Sequence, residues 1–522
     1  MTLHFLDYLI IAISLVVSIG IGVWFSKEQK STNKYFAGDG KIPAWAIGLS
    51  ILATLVSSIT FLAYPGEGFS SNWIRLVQGL MVPVVLIFMI FTIVPLYRKV
   101  IGLSAYEYFE KRFGYFARLY GSLGFILAHF SKMGTVFFLL ALALSSMMGI
   151  DTLTLIWILG AIIIILTLIG GIEAVIWLDV IQGILLIGGG LLALVIILFT
   201  AEGGPGAIWQ TASEAGRIGF GPFDWDFVNL TFWVMAINGV FYAIQKYGTD
   251  QTIVQRYLTA KSDKDAIKAS LIGVLLTVPV WALFMFIGTA LFSFYELSGS
   301  ALPEGMKADA VFPFFILSEL PVGITGLILS ALTAAAISSL DINCLAAVGV
   351  QDYYAKFKKN ATDLQKLRFG KIMVVAAGLG AIVVASIYVR LDGKGILGII
   401  FTLYAIFSGG IAGMFLLGLF SKRANKQGLY IGIATCVAFT AYALLTSTTV
   451  GSGENEKLMM DLGRLNFNHH KYMLGVYSHV VLFGVGFLAS FFFKTPPPED
   501  NLTWAGWKKI QKENKQTARI GA

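Results

Sequence analysis

Runs of about 20 apolar residues, separated by short polar connections, recur from one end of this 522-residue chain to the other. A bilayer core of about 30 Å takes roughly 20 helical residues, so each run predicts a transmembrane helix. Thirteen are expected, at 4–25, 43–63, 76–96, 118–148, 153–169, 171–199, 228–250, 266–294, 311–350, 369–389, 396–420, 427–447 and 472–493. The stretches 118–148 and 311–350 exceed one bilayer thickness, so they are expected to tilt or to extend into a loop helix. The connections 200–227 and 448–471 read as ordered caps. Beyond Pro496-Pro497-Pro498, the Trp504–Lys509 segment reads as a short interfacial helix with aromatic anchors. No soluble catalytic domain and no cleavable signal are expected.

Composition agrees with the pattern. The chain is 57% hydrophobic and 13% charged, about half the charge of a soluble domain. That excludes a cytosolic enzyme, a nucleic-acid binder and a secreted disulfide scaffold. The net charge of +8 belongs to cytoplasmic loops rather than to a nucleic-acid surface. With thirteen spans and the N-terminus outside, 29 Lys and Arg fall in the inner segments and 8 in the outer ones, leaving Lys132 inside a span. Merging or splitting one helix would invert every later loop, so an odd count with the N-terminus outside and the C-terminus inside is expected. Cys344 and Cys436 read as small buried residues.

Polar positions within the spans carry the candidate chemistry. Between Thr54 and Thr60 the second span holds four hydroxyls, on every helical face. Back-bonding of each hydroxyl to its own i−4 carbonyl is the plain alternative. Unwinding at mid-membrane is the functional one, because it releases backbone carbonyls to hold a cation. The ninth span contains Ala334-Ala335-Ala336 followed by Ser338, Ser339 and Asp341. Small residues there let a helix approach closely, and the hydroxyls offer oxygen at the contact. Lys132, Asp179 and Asp341 lie inside apolar runs, so they should face a cavity or one another, on an ion or solute path or as a buried ion pair. His129 reads as a packing histidine one turn from Lys132, and Glu173 as interfacial. Gly188-Gly189-Gly190 lacks the lysine of a phosphate loop and reads as close helix packing. The remaining histidines make no metal set.

These positions resemble the sodium:solute symporter family. The resemblance runs from about residue 8 to 440 and is carried by several motifs. They include Tyr35-Phe36-Ala37-Gly38 ahead of Pro43-Ala44-Trp45, Ser104-Ala105-Tyr106-Glu107, and Gly170-Gly171 leading to Trp177 and Asp179-Val180-Ile181-Gln182. Val254-Gln255-Arg256 and Leu416-Leu417-Gly418 complete the set. Within the family, Ser57-Ser58-Ile59-Thr60-Phe61 with Pro65 is most similar to bacterial sialic acid symporters.

The resemblance implies an all-α LeuT-type inverted repeat of five helices, with extra helices around it. Residues 1–42 would form the extra N-terminal helix and its cytoplasmic loop, 43–199 and 228–420 the two repeat halves, and 200–227 an extracellular loop. Residues 421–494 would add two C-terminal helices, and 495–522 a cytoplasmic tail. It implies a Na⁺ site made by carbonyls of Ala53, Val56 and Ala335 with the hydroxyls of Ser338 and Ser339. Sialic acid symporters use the aspartate matching Asp179, with Ser338 and two further serines, for a second cation. Asp341 and Ile342 stand at those two serine positions, so Asp179 and Asp341 become a candidate second cation or proton site. The solute positions implied are Leu55, Ser57, Thr60, Gln78 and Lys132, with Gln78 one place off the family glutamine. Lysine replaces the family arginine at Lys132, a point charge without the bidentate fork. Bacterial sugar symporters place a tyrosine gate at Lys246 and an asparagine at Ala243.

The expected activity is sodium-coupled import of a small organic solute, sialic acid or another sugar-like or carboxylated one, by alternating access across the cell (inner) membrane. The partners are Na⁺, the solute and the lipid bilayer. Proton-coupled symport on the same fold, an integral membrane enzyme and a channel are the rivals.

Overall fold

The computed structural model describes residues 3–26, 31–338, 341–390, 409–450, 457–494 and 496–520. In chain order the helices are α1 (Phe5–Ser26), α2 (Thr32–Ala37), α3 (Ala44–Leu55), α4 (Ser58–Ser70), α5 (Leu76–Val100), α6 (Glu107–Phe113) and α7 (Tyr115–Met148). They continue with α8 (Thr152–Thr200), α9 (Gly204–Glu214), α10 (Phe232–Gly248), α11 (Gln251–Thr259), α12 (Asp263–Ser298), α13 (Ala308–Ser318), α14 (Ile324–Ser338) and α15 (Ile342–Val348). The last are α16 (Asp363–Arg390), α17 (Ile411–Phe420), α18 (Lys426–Ser447), α19 (Lys471–Ala489) and α20 (Trp504–Ile520). Among the described residues, seven helices are long and apolar enough to cross a membrane, and α3 with α4, bent by 55°, makes an eighth.

Two of the expected spans, 153–169 and 171–199, run together as the 49-residue α8. Straight, it would measure about 74 Å, more than twice a bilayer core. Gly171 folds it, at φ 62 and ψ −168, a conformation open to glycine and closed to side chains with a Cβ. Glu173, just past the fold, is buried and accepts the Asp39 amide at 3.2 Å. The segment 311–350 resolves into the short α13, a turn at Pro321, and then α14 and α15. Residues 391–408, which include the first part of the eleventh expected span (396–408), lie outside the described residues.

One correction concerns charges assigned to loops. Arg112, Arg118, Lys246 and Arg256 are buried. Each has found a partner inside the protein rather than water, a pairing that hydropathy cannot register.

The chain forms two compact units. The first comprises Met1–Pro83, His129–Gly221 and Gln255–Ile400. In it α12 packs on α3 and α4, α13 on α4, and α8 on α1, α3, α14 and α16. Contact between α12 and α4 is backbone-close: a Cβ on Gly288 would stand 1.9 Å from the Pro65 carbonyl oxygen. The second unit comprises Val84–Ala128, Pro222–Val254 and Phe401–Ala522. There α19 packs on α10, α17 and α18. Arg112 donates to the Gly418 and Ser421 carbonyls at 3.2 and 2.6 Å.

Helix α1 fixes the outset of α14. Buried Asp7 accepts the amides of Gly323 and Gly326, both at 2.8 Å, through one carboxylate oxygen. The carboxylate thereby caps a helix N-terminus from outside that helix. Asp7→Ala is expected to cost about 1–3 kcal/mol. It should lower the melting temperature in detergent by several degrees, and an unchanged melting curve would show the cap to be idle.

Candidate ion and solute site

The second span is interrupted where its hydroxyls cluster. Helix α3 ends at Val56, which is extended at φ −105 and ψ 111. Ser57, also extended, opens α4 with a capping box. Its hydroxyl accepts the Ile59 amide at 3.2 Å, and the Thr60 hydroxyl accepts the Ser57 amide at 3.4 Å. Serine and threonine favour such caps over helix interiors, so a new helix starts in mid-span. Thr54 follows the plain alternative and donates to the Ser50 carbonyl at 2.8 Å.

Helix α14 packs against both halves of this break. The backbone of Ala335 and Ser338 forms its last described turn, and Ser339 lies outside the described residues. Ala53, Val56, Ser57 and Thr60 are buried at the break, Leu55 is half-buried, and Gln78 is buried in the first turn of α5. Neutral carbonyl and hydroxyl oxygens suit a hard monovalent cation, whose own charge is the only one to be compensated.

Beside the break lies a cluster of charges. The Arg256 guanidinium donates from Nη2 to Asp179 Oδ2 at 2.9 Å and to Asp341 Oδ1 at 3.2 Å. Its Nε donates to Ser50 Oγ at 2.7 Å, and the Ser50 hydroxyl donates on to Asp179. On the other side of Asp341, Lys132 Nζ stands 3.6 Å from Oδ2. The same ammonium donates to the Thr54 carbonyl, in the last turn of α3, at 3.2 Å. Side chains of Arg256, Asp179 and Asp341 are fully buried, whereas that of Lys132 is 14% exposed. Asp341 itself adopts φ 27 and ψ 31 ahead of α15, left-handed backbone that is uncommon for a residue with a Cβ.

The expected proximity of Lys132, Asp179 and Asp341 is therefore observed, but as a network rather than a single pair. His129, read as a packing histidine, is buried, with its Nε2 3.8 Å from Asp341 Oδ2, beyond hydrogen-bond reach. Sequence reasoning missed Arg256 and Ser50. Arg256 carries no local signal: with Gln251, Thr252 and Gln255 of α11 it is buried only by the folded structure. Lys246, at the sugar-symporter tyrosine position, ion-pairs with Asp250 and donates to Thr252 Oγ1 at 3.2 Å. That pair marks a second interruption, between the end of α10 at Gly248 and the start of α11 at Gln251.

The model of the sodium:solute symporter family matches residues 35–435. The chain belongs to that family. It is 35% identical to the sodium/sialic acid symporter SiaT of Proteus mirabilis, over 84% of this chain and 90% of that protein. Identity to the sodium/sialic acid symporter NanT of Aliivibrio fischeri is 34%, over 83% and 86%. The solved structure of a Na⁺-coupled sialic acid symporter in a substrate-bound outward-open state superposes with a TM-score of 0.85 at 31% identity. It covers 95% of this chain and 99% of that one. Mhp1, a nucleobase-cation-symport-1 transporter, shares the fold, at a TM-score of 0.55 and 14% identity over 89% and 95% of the chains. The symporter is thus an integral membrane transporter of LeuT-type fold that couples a small solute to Na⁺.

Proposed function

We propose that this symporter imports a carboxylated sugar of the sialic acid class across the cell membrane by alternating access. The observation that carries this reading is the partly exposed Lys132 ammonium beside the α3–α4 break, on which α14 packs. Na⁺ binds among the carbonyls of Ala53, Val56 and Ala335 and the hydroxyls of Ser338 and Ser339. Leu55, Ser57, Thr60 and Gln78 shape the solute space, and Lys132 pairs with the solute carboxylate. The break supports the ion seat because the negative C-terminal end of α3 reaches it, while the positive N-terminal end of α4 favours the solute carboxylate.

Na⁺ bridging the break to α14 favours the outward-open state and orders the solute positions. Coupling lies in the different affinities of the two states, since equal affinity shifts no equilibrium. A tenfold sodium gradient supplies about 1.4 kcal/mol. Thirteen spans, an outside N-terminus, an inside C-terminus and repeats at 43–199 and 228–420 complete the proposal. The excess of Lys and Arg in inner segments persists without the four buried residues. No catalytic role is assigned to any residue.

Proteoliposomes holding the purified chain should accumulate N-acetylneuraminate only under an inward sodium gradient. Uptake of neutral sugars with N-acetylneuraminate ignored would reject the solute class. A second reading, proton coupling, draws on His129 beside Asp341. Full uptake at acid pH in sodium-free buffer would select it.

A further inference from the structure

Two carboxylates buried at one locus of a sodium symporter form an evident seat for a second Na⁺. Here the chain's own cations stand against them. Arg256 contacts Asp179 and Asp341 at 2.9 and 3.2 Å, and Lys132 stands 3.6 Å from the other oxygen of Asp341. Two negative and two positive side chains cancel, and His129 adds charge only when protonated. A second Na⁺ would have to shed its water beside a guanidinium and an ammonium, with no net negative charge to repay the loss. Ile342, next to Asp341, brings no oxygen beyond its backbone.

We infer that Arg256 and Lys132 fill the second cation position, so that a single Na⁺ crosses with each solute molecule and an anionic solute crosses without net charge. The inference rests on the sodium-symport reading and on Lys132 as the group that meets the solute. Charge balance then links the two ligands. Alone, the solute carboxylate leaves the site one charge negative, and Na⁺ alone leaves it one charge positive. Neutrality needs both, so each raises the affinity for the other.

The test counts ions. Detergent-purified full-length protein at pH 8 is titrated with ²²Na⁺. One ion per chain and a Hill slope of one are expected. Lys132→Gln uncovers one carboxylate charge and should raise the count from one to two. Lys132→Gln with Asp341→Asn removes both charges and should return it to one. Two ions on the parent protein overturn the inference, as does a Lys132→Gln protein that binds one ion with parental affinity. Binding of no sodium sinks the symport reading itself, and the inference with it. In proteoliposomes with a fixed sodium gradient, N-acetylneuraminate uptake should not change under a valinomycin-imposed, inside-negative potential. A several-fold stimulation overturns electroneutral cotransport of one Na⁺ with one carboxylate.

Discussion

Lys132→Ala is expected to raise the KM for N-acetylneuraminate about 10- to 100-fold while leaving a neutral solute's uptake within about twofold. The range follows from the loss of one charge-assisted hydrogen bond, about 1.5–3 kcal/mol. Lys132 is suited to the role because it is the cation of the cluster with access to open space. Its ammonium is fixed on two sides, by the Thr54 carbonyl at 3.2 Å and by Asp341 at 3.6 Å. A solute carboxylate therefore meets a positioned charge with little side-chain entropy left to lose. Lys132→Arg keeps the charge and adds the bidentate fork, so it should recover most of the affinity. If every solute is taken up at parental KM after Lys132→Ala, the residue serves the buried network alone.

Arg256→Gln is expected to prevent recovery of folded protein. It leaves two fully buried carboxylates facing each other across an uncharged amide, with only Lys132 to offset them. Removing one partner of a buried ion pair costs about 3–5 kcal/mol, a large share of the roughly 5–15 kcal/mol that holds a protein folded. Loss of the Nε donor to Ser50, at 2.7 Å, compounds the effect. Size-exclusion chromatography of a fluorescent fusion should show aggregate in place of the monodisperse peak. Adding Asp341→Asn removes one of the stranded charges and should restore part of that peak. A stable Arg256→Gln protein would mean that water or another cation reaches the cluster, and the picture of a closed neutral network would be wrong.

The broken second span was legible because hydroxyls at cap spacing contradict an apolar helix, and cap chemistry acts over four residues. Gly170-Gly171 likewise announced the fold in α8, since the conformation at Gly171 is local. Lys132, Asp179 and Asp341 stood out because charges within apolar runs have no local explanation. Arg256 did not stand out. It sits in α11, whose polar residues look like a loop until other helices bury them. That burial depends on Asp179 and Asp341, distant by 77 and 85 positions. No window of sequence contains that pairing. Ser50 was hidden for the same reason: a lone hydroxyl on an apolar helix acquires meaning only from Asp179 and Arg256. Division of 311–350 was foreshadowed by Pro321 and Gly323, but apolar neighbours on both sides masked the turn.

The account stands on an alkali ion held between the interruption at Val56 and the hydroxyl-bearing end of α14. Sodium dependence of solute uptake by Ser339→Ala, measured beside the parent in proteoliposomes, tests this most directly. Loss of one ion-binding oxygen should raise the sodium concentration for half-maximal uptake about tenfold or more, with membrane insertion unchanged and uptake restored at high sodium. A variant with the parent's sodium dependence would contradict the account.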